Sequence, residues 1–130
     1  MEVIEPGHIF DLAPLDGDKP ERLTFVMRTG ENYPGNKQKH QGTNIQEVIR
    51  ALISRVKYLN AQKPHVTNEC CIIYLRLMLY NLELRAAEMH KRTPDFDPYE
   101  IELLPVCHRC GHISCAGNCF NHIGESSNDI

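Results

Sequence analysis

The apolar residues in the middle of the chain recur every three or four positions, which is the spacing of an α-helix. The clearest run comprises Ile45, Val48, Leu52, Val56 and Leu59. Thr43 or Asn44 precedes this run as a helix cap. Gln46 or Glu47, three residues after them, completes a capping box. The pattern predicts a helix that ends near Gln62, shortly before a proline.

A second helical repeat follows a short link of residues 63–66. We predict that this helix starts near Thr67 or Asn68 and runs to about Arg92. Its apolar stripe comprises Cys71, Ile72, Leu75, Met78, Leu79, Leu82 and Ala86. The short link forces the two helices to lie side by side and antiparallel. Because such a hairpin cannot bury both of its faces alone, we expect it to pack on strands or on another copy of itself, as a homo-oligomer.

The flanking segments predict little regular structure apart from one strand. Residues 1–20 hold three prolines and two glycines and are predicted to be an irregular lead-in. Residues 22–28 have the β-branched and aromatic content of a strand, and residues 29–43 are polar and typical of a loop. Residues 95–106 mix acids with apolar residues and predict a strand or an extended arm.

Together these elements predict an α+β fold, in which an antiparallel two-helix hairpin packs on a small N-terminal β segment. A C-terminal tail similar to a zinc knuckle follows. We therefore divide the chain into two parts. Residues 1–94 are the β segment with the hairpin, and residues 95–130 are the arm with the Cys/His tail.

The composition is that of a folded protein in a reducing compartment. Apolar residues make up 42% of the 130 residues and charged residues 24%. No run of about 18 apolar residues predicts a transmembrane helix, and the first 20 residues lack the pattern of a secretory signal. We therefore expect a cytoplasmic protein with no membrane partner. Its six cysteines are then thiols or metal ligands rather than disulfides.

The charges are distributed unevenly along the chain. Residues 28–92 contain eleven Lys and Arg against five Asp and Glu, whereas the remainder contains three against twelve. The basic middle predicts an anionic partner, unless the acidic ends only neutralise the helices. The overall charge of −3 argues against nucleic acid as that partner, because affinity for nucleic acid comes largely from a net basic face.

The most specific chemistry lies in the tail, where four cysteines fall within 13 residues. The predicted ligands of one structural zinc ion are Cys107, Cys110, Cys115 and Cys119. A variant of this site exchanges one cysteine for His112 or His122. The alternatives are an iron–sulfur cluster and a cysteine-rich tail that holds no metal. A site closed by four protein ligands stabilises structure and leaves no position open for catalysis.

No other part of the sequence predicts catalysis. Cys71 fits the apolar stripe and is predicted to be a buried thiol, and Cys70 beside it is the better candidate for a reactive one. A cysteine nucleophile needs a base and an orienting group, and the sequence indicates neither. It also lacks a phosphate-binding glycine loop, a serine elbow and a His-Glu-x-x-His pair. We therefore expect a binding protein and not an enzyme.

Residues 41–92 carry a series of short motifs. These are Gly42, Asn44 and Glu47 at the start of helix one, Ile53, Arg55 and Tyr58 towards its end, Asn68 at the head of helix two, and Leu82, Glu83 and Arg85 near its end. In this order they resemble the helical hairpin of the phage Thoeris anti-defence sponges, which is similar to that of the sponges acting against CBASS. The resemblance does not extend to the cysteine tail.

The resemblance implies a protein that sequesters an immune second messenger without cleaving it. The implied ligand is a cyclic nucleotide or a cyclic ADP-ribose isomer, held between neighbouring subunits of a symmetric oligomer, commonly a hexamer. Tyr58 would pack on the base, and Asn68 and Arg85 would hold the polar groups and phosphates. Aromatic faces and planar guanidinium groups suit purines and phosphates on physical grounds as well.

Two further arginines enter the implied site, and one family arginine is missing. Arg28, at the end of the predicted strand, lies where the family places basic residues near the ligand. Met89 stands where the family has a second arginine on helix two. Arg92 is the substitute that we include in the site, and His90 and Lys91 are alternatives.

Each of these residues also has a purely structural explanation. Tyr58 could pack between the helices, and Asn68 could only cap helix two. Arg85 could pair with Glu88 or be solvated, and Arg28 could protect a strand edge from aggregation.

These observations favour a phage anti-defence sponge with a structural zinc, acting in the cytoplasm of an infected bacterial host. The alternative is a small zinc-containing module for protein interaction or regulation, in which the hairpin dimerises and the knuckle contacts the partner. An enzyme that cleaves the same ligand is a third hypothesis, with no base or open metal position to support it.

Overall fold

The protein has a small β-sheet followed by a helical hairpin, which confirms the α+β prediction. A computed structural model describes residues 1–27, 41–89, 91–93, 96–107 and 112–113. The elements are β1 (Glu2–Glu5), β2 (Ile9–Leu12), β3 (Glu21–Thr24), α1 (Ile45–Gln62), α2 (Val66–Met89) and a 3-10 helix at Ile101–Leu103. Most of the predicted knuckle lies outside the described residues.

The first 24 residues form a three-stranded antiparallel sheet in the order β1-β2-β3, so the prediction of an irregular lead-in is wrong. Gly7 makes the turn between β1 and β2 at φ +78°, a conformation that costs little without a Cβ atom. β2 pairs with β3 along its whole length. Across this pair, the Asp11 carboxylate accepts hydrogen bonds from Arg22 at 2.8 and 3.1 Å.

The two helices form the predicted antiparallel hairpin. Asn44 is the N-cap of α1, and its Oδ1 accepts a hydrogen bond from the Glu47 N–H at 2.8 Å. At the loop end of the hairpin, the Asn68 side chain donates to Asn60 Oδ1. At the opposite end, α1 and α2 are joined by a buried ion pair that is described with the candidate site below.

The face of α2 that packs into the core is narrower than the predicted stripe, of which Ile72, Leu75, Leu79, Leu82 and Ala86 are buried or partly buried. Ile72, Leu79 and Ala86, spaced by seven residues, are buried. Cys71 and Met78 are exposed, so the prediction of a buried Cys71 thiol is wrong. One residue of an α-helix turns by about 100°, which carries both side chains away from the buried row.

The hydrophobic core joins the hairpin to the segment that follows it. Residues 96–107 contain the short 3-10 helix rather than a strand, and its Ile101 is fully buried. Ile101 belongs to the same cluster as Ile53 of α1 and Leu79 of α2, both of which are also fully buried. Ile113, beyond the 3-10 helix, packs into this cluster as well.

An ion-pair network fixes the 3-10 helix against both long helices. The buried Glu102 carboxylate accepts hydrogen bonds from Arg76 of α2 at 2.6 Å and from Lys57 of α1 at 2.9 Å. Burial alone would raise the pKa of Glu102, but these hydrogen bonds outweigh it and lower the pKa to about 2.

The C-terminal end of α2 is a Schellman motif without glycine. Lys91 has φ +54°, in the left-handed region. The Arg92 N–H donates to the Ala87 carbonyl at 2.8 Å, and the Lys91 N–H donates to the Glu88 carbonyl at 3.2 Å. The helix therefore ends three residues before the predicted limit of about Arg92.

One side of α2, which we call the outer face, is apolar and exposed. It comprises Val66, Ile73, Tyr74, Leu77 and Met78, each at least half exposed. A helix with apolar residues around its whole circumference is typical of one that is covered on all sides. In the described part of one chain the outer face remains uncovered. Neither α1 nor α2 combines the length and apolar character that crossing a membrane would require.

Candidate functional site

A cleft of about 490 Å³ lies where the sheet, the start of α1 and the end of α2 meet. Side chains on its walls include His8, Phe10, Phe25, Asn44, Gln46 and Arg85. Its volume is in the range of small-molecule sites, which combine apolar walls with a few polar groups.

The cleft exists because the chain that enters α1 runs alongside β3. The Thr43 N–H donates to the Thr24 carbonyl and the Val26 N–H donates to the Thr43 carbonyl, both at 2.9 Å. Gly42 has φ +109°, and a Cβ atom there would lie 2.6 Å from the Thr24 oxygen. The close approach of the chain at Gly42 to the backbone of β3 therefore requires glycine at this position. It also places Asn44, the cap of α1, on the cleft wall.

The sheet and α2 supply complementary chemistry to the cleft. Phe10 and Phe25 pack edge to face, with their ring centroids 6.0 Å apart. Arg85 projects from α2 on the other wall and is exposed. Within the described residues, no ion pair or hydrogen bond engages the Arg85 guanidinium, with Glu88 or otherwise. A cleft that is lined by an exposed guanidinium and by aromatic rings suits an anion that carries a flat ring.

His8 adds an unusual polar atom to this site. Its Nδ1 is buried and has no hydrogen-bond partner in the part of the chain that the structure describes. The ring lies between the cleft and a second hollow of about 320 Å³, which also borders Phe25. Buried polar atoms are nearly always paired in folded proteins, so this nitrogen is suited to a hydrogen bond with a group that enters the cleft.

The end of the cleft nearest the tail is closed by a buried polar cluster. Gln46 Nε2 and His112 Nδ1 lie 3.2 Å apart, within hydrogen-bond distance, and the same His112 Nδ1 lies 3.8 Å from a carboxylate oxygen of Glu83. Glu83 accepts a hydrogen bond from Arg50 at 3.1 Å and another from the Ile113 N–H at 3.1 Å. Burial raises the pKa of Glu83, and these hydrogen bonds partly oppose the rise.

Met89 also lies on the cleft wall, one turn after Arg85. An apolar side chain thus occupies the place where the family resemblance implies a second arginine. Arg92 does not replace it on that wall. The three guanidinium nitrogens of Arg92 are buried and have no hydrogen-bond partner among the described residues, while their charge acts on Glu83.

Tyr58 and Asn68 lie at the opposite end of the hairpin from Arg85. Tyr58 is 56% exposed and does not pack between the helices. The Arg55 guanidinium lies 5.3 Å from the centre of the Tyr58 ring. Asn68 lies within α2, where its side chain bonds to α1 instead of capping the helix. Asn68 and Arg85 are 17 positions apart, which is about 25 Å along the helix, so one copy cannot bring these two side chains to one small ligand.

The remaining predicted residues belong to segments that the structure does not describe. They are Arg28, Cys110, Cys115 and Cys119. Cys107 is described and is half-buried. Among the described residues, no group of three or more His, Cys, Asp or Glu side chains is arranged to hold a metal ion.

Sequence reasoning missed the sheet half of the cleft. Phe10 and His8 fall in the segment that was predicted to be irregular, and Phe25 was predicted only as part of a strand. The available signal was Pro6-Gly7 between two short apolar runs, a pattern typical of a hairpin turn.

Comparisons of the chain with protein-family models, with curated proteins and with solved structures give no match.

Proposed function

We propose that this protein binds a small anionic ligand with a flat ring and holds it without cleaving it. The ligand class is a cyclic nucleotide or a cyclic ADP-ribose isomer, and the biological role is that of a phage anti-defence sponge in the cytoplasm of an infected bacterium. The observation that carries the proposal is the cleft, whose lining includes Arg85 together with the Phe10 and Phe25 rings.

The chemistry of the cleft supports binding more than catalysis. A phosphate would be held by the Arg85 guanidinium, which has donors to spare, and a base would lie on the aromatic side. The His8 Nδ1 and the amides of the α1 start are suited to polar groups of the ligand. The described cleft wall includes no carboxylate and no thiol. Among the described wall residues, His8 and His112 are the side chains that could serve as a general acid or base.

A homo-oligomer, commonly a hexamer in the family that the hairpin resembles, would complete the site. Tyr58 and Asn68 of one copy would approach the cleft of a neighbour if hairpins packed antiparallel through their exposed apolar surfaces. The outer face suits this packing because it is apolar and lies on a rigid helix. With Leu52, Leu59 and Tyr58 it exposes on the order of the 800 Å² that each partner contributes to a standard interface.

The tail would hold one structural zinc ion through Cys107, Cys110, Cys115 and Cys119. One feature of the described residues fits this assignment. The Cys107 N–H donates to the His112 carbonyl at 3.1 Å, and Val106 pairs with Ile113. This pairing brings the two ends of the loop of residues 107–112 together. A short loop closed in this way would allow Cys107 and Cys110 to bind the same ion.

The test is a thermal-shift panel of cyclic dinucleotides, cyclic trinucleotides and cyclic ADP-ribose isomers on the full chain with zinc. A ligand that binds the folded state raises the melting temperature by mass action. We expect one class to do so, to be recovered intact after heating, and to lose at least about tenfold in affinity with Arg85→Ala, which removes a charge-assisted hydrogen bond.

The matched control is Lys19→Ala, which removes one exposed positive charge outside the cleft. If it weakens binding as much as Arg85→Ala does, the attraction is general and the cleft is not the site. Recovery of a cleaved product would replace the sponge by an enzyme.

The second candidate is a zinc-containing interaction module, and the outer face is the observation that favours it. In that case the apolar face would bind another protein or a second copy, and no small ligand would be needed. The absence of any thermal shift in folded, zinc-loaded protein, together with loss of partner binding on removal of the tail, would favour this module.

A further inference from the structure

The second hollow, of about 320 Å³, adjoins the cleft and shares His8 and Phe25 with it. The other polar residues on its wall are Glu5, Thr24 and Gln41. Glu5 is partly buried, and within the described residues no ion pair or hydrogen bond engages its carboxylate. The hollow therefore offers an acidic group that is ready to accept hydrogen bonds.

Two backbone hydrogen bonds hold Glu5, His8 and Phe25 in a fixed arrangement. The His8 N–H donates to the Glu5 carbonyl at 3.0 Å, which closes the turn between β1 and β2. The Phe25 N–H donates to the His8 carbonyl at 2.7 Å. Because Phe25 borders both spaces, a flat ring that lies against it would have one edge towards the hollow and its substituent towards the cleft.

The two spaces carry opposite charges. Arg85 lines the cleft and suits a phosphate, whereas Glu5 lines the hollow, where a carboxylate repels a phosphate and attracts hydrogen-bond donors. His8 lies on the wall that both share, and its buried Nδ1 has no partner in the described part of the chain. A ligand that matches this order has an anionic group at the cleft and N–H donors on the edge of its ring at the hollow.

We propose that the hollow recognises the base of the ligand and that Glu5 is the residue that selects guanine over adenine. The edge of guanine carries two adjacent N–H donors, at N1 and at the N2 amino group, which match the two oxygens of one carboxylate. The carbonyl oxygen beside these donors accepts a hydrogen bond from His8 Nδ1. Adenine presents a single amino group next to a bare ring nitrogen, whose lone pair opposes the carboxylate. The inference rests on the proposed function and narrows its ligand class to cyclic nucleotides that contain guanine.

The probes are pairs of compounds that differ only in the base. They are cyclic GMP with cyclic AMP, and cyclic di-GMP with cyclic di-AMP. Calorimetric titration of the full chain measures the dissociation constant of each compound. We expect the guanine member of at least one pair to bind at least about tenfold more tightly than its adenine partner, because adenine leaves the charged acceptor without its full set of donors.

The variant Glu5→Gln tests the assigned residue. It keeps the size of the side chain but replaces one acceptor by a donor and removes the charge. We expect the affinity for guanine compounds to fall at least about tenfold. The affinity for adenine compounds should stay the same or rise, since an amide can pair with the amino group and ring nitrogen of adenine. A variant that only damaged the fold would weaken the binding of both.

The matched control is Glu2→Gln, which removes another carboxyl group from β1. Glu2 is exposed and belongs to neither wall as the structure describes them. This control should leave the ratio of the two affinities unchanged. The ratio is measured first in the unaltered chain, so the inference can be refuted even if Glu5→Gln fails to fold.

The results that overturn the inference also separate it from the proposed function. If adenine compounds bind as tightly as guanine compounds, or if Glu5→Gln keeps the preference, Glu5 does not select the base, while Arg85→Ala still decides whether the cleft binds the ligand. If only cyclic ADP-ribose isomers bind, the inference is wrong because their base is adenine, and the sponge stands. If no compound of the panel binds, both proposals are wrong.

Discussion

The ion pairs of Glu102 give the most quantitative test of how the hairpin is held to the 3-10 helix. We expect Glu102→Gln to destabilise the protein at neutral pH, because the amide keeps the shape but loses the charge that faces Arg76 and Lys57. A carboxyl pKa lowered from 4.5 to about 2 corresponds to roughly 3 kcal/mol of folding free energy. Arg76 and Lys57 remain partly exposed, so water takes the place of the lost charge and the cost should be about 2–3 kcal/mol.

The pH dependence of this cost follows from the direction of the pKa shift. In the folded state Glu102 stays ionised at pH values at which it is already protonated in the unfolded chain. The stabilisation is therefore complete above about pH 5.5 and is lost as the pH falls from about 4.5 towards about 2. By pH 3 the difference between wild type and Glu102→Gln should be less than half of its value at pH 7.

Urea denaturation at pH 7 and pH 3, with a chelator present throughout, measures the free energy of unfolding of both proteins. Glu69→Gln is the control, because it removes an exposed carboxyl from α2 and should change stability by less than about 0.5 kcal/mol at either pH. The same penalty for Glu102→Gln at both values of pH would refute the assignment of the stabilisation to charge.

Three further tests, two of them with a matched control substitution, address local features of the fold. Lys91→Gly should raise stability by about 1 kcal/mol in thermal unfolding, because Lys91 has φ +54° and glycine adopts that conformation without strain. Gly42→Ala should cost at least about 2 kcal/mol, because its Cβ would contact the Thr24 oxygen, whereas Gly7→Ala, also at positive φ but in open space, should cost only about 1 kcal/mol. Leu79→Ala should lower the free energy of unfolding by about 2–5 kcal/mol in urea denaturation. Leu77→Ala on the outer face should leave the unfolding of a single chain nearly unchanged. It should instead lower the mass of any oligomer measured by light scattering.

The hairpin could be predicted from the sequence because both helices are long and their apolar residues follow the helical period. The sheet was harder, since each strand has only four residues and offers too few positions to establish alternation. The exposure of Cys71 and Met78, at one edge of the predicted stripe of α2, was missed for a different reason. Apolar residues surround this helix, so Met78 suited the stripe as well as Leu79 did, and only packing against α1 decides which is buried.

The cleft could be predicted only on its helical side. Arg85 was found from the motif near the end of α2, but its aromatic partners come from the sheet. The hydrogen bond from Gln46 to His112 joins residues 66 positions apart, and no local pattern indicates such a contact. A contact of Tyr58 and Asn68 with the ligand remains a prediction. It requires a second copy of the chain, because within one copy both residues lie at the opposite end of the hairpin from Arg85.

Glu83 shows why a sequence motif near the candidate site does not by itself identify the residues that line the cleft. Leu82, Glu83 and Arg85 belong to one motif, yet Leu82 and Arg85 line the cleft while Glu83 points into the core. Its carboxylate holds Arg50 of α1 and the backbone of Ile113 at once. The boundary between residues 94 and 95 stays a prediction, but a chain cut there would leave a buried carboxylate facing Arg50 without the Ile113 N–H. We therefore expect the hairpin, the 3-10 helix and the start of the tail to unfold in one cooperative transition.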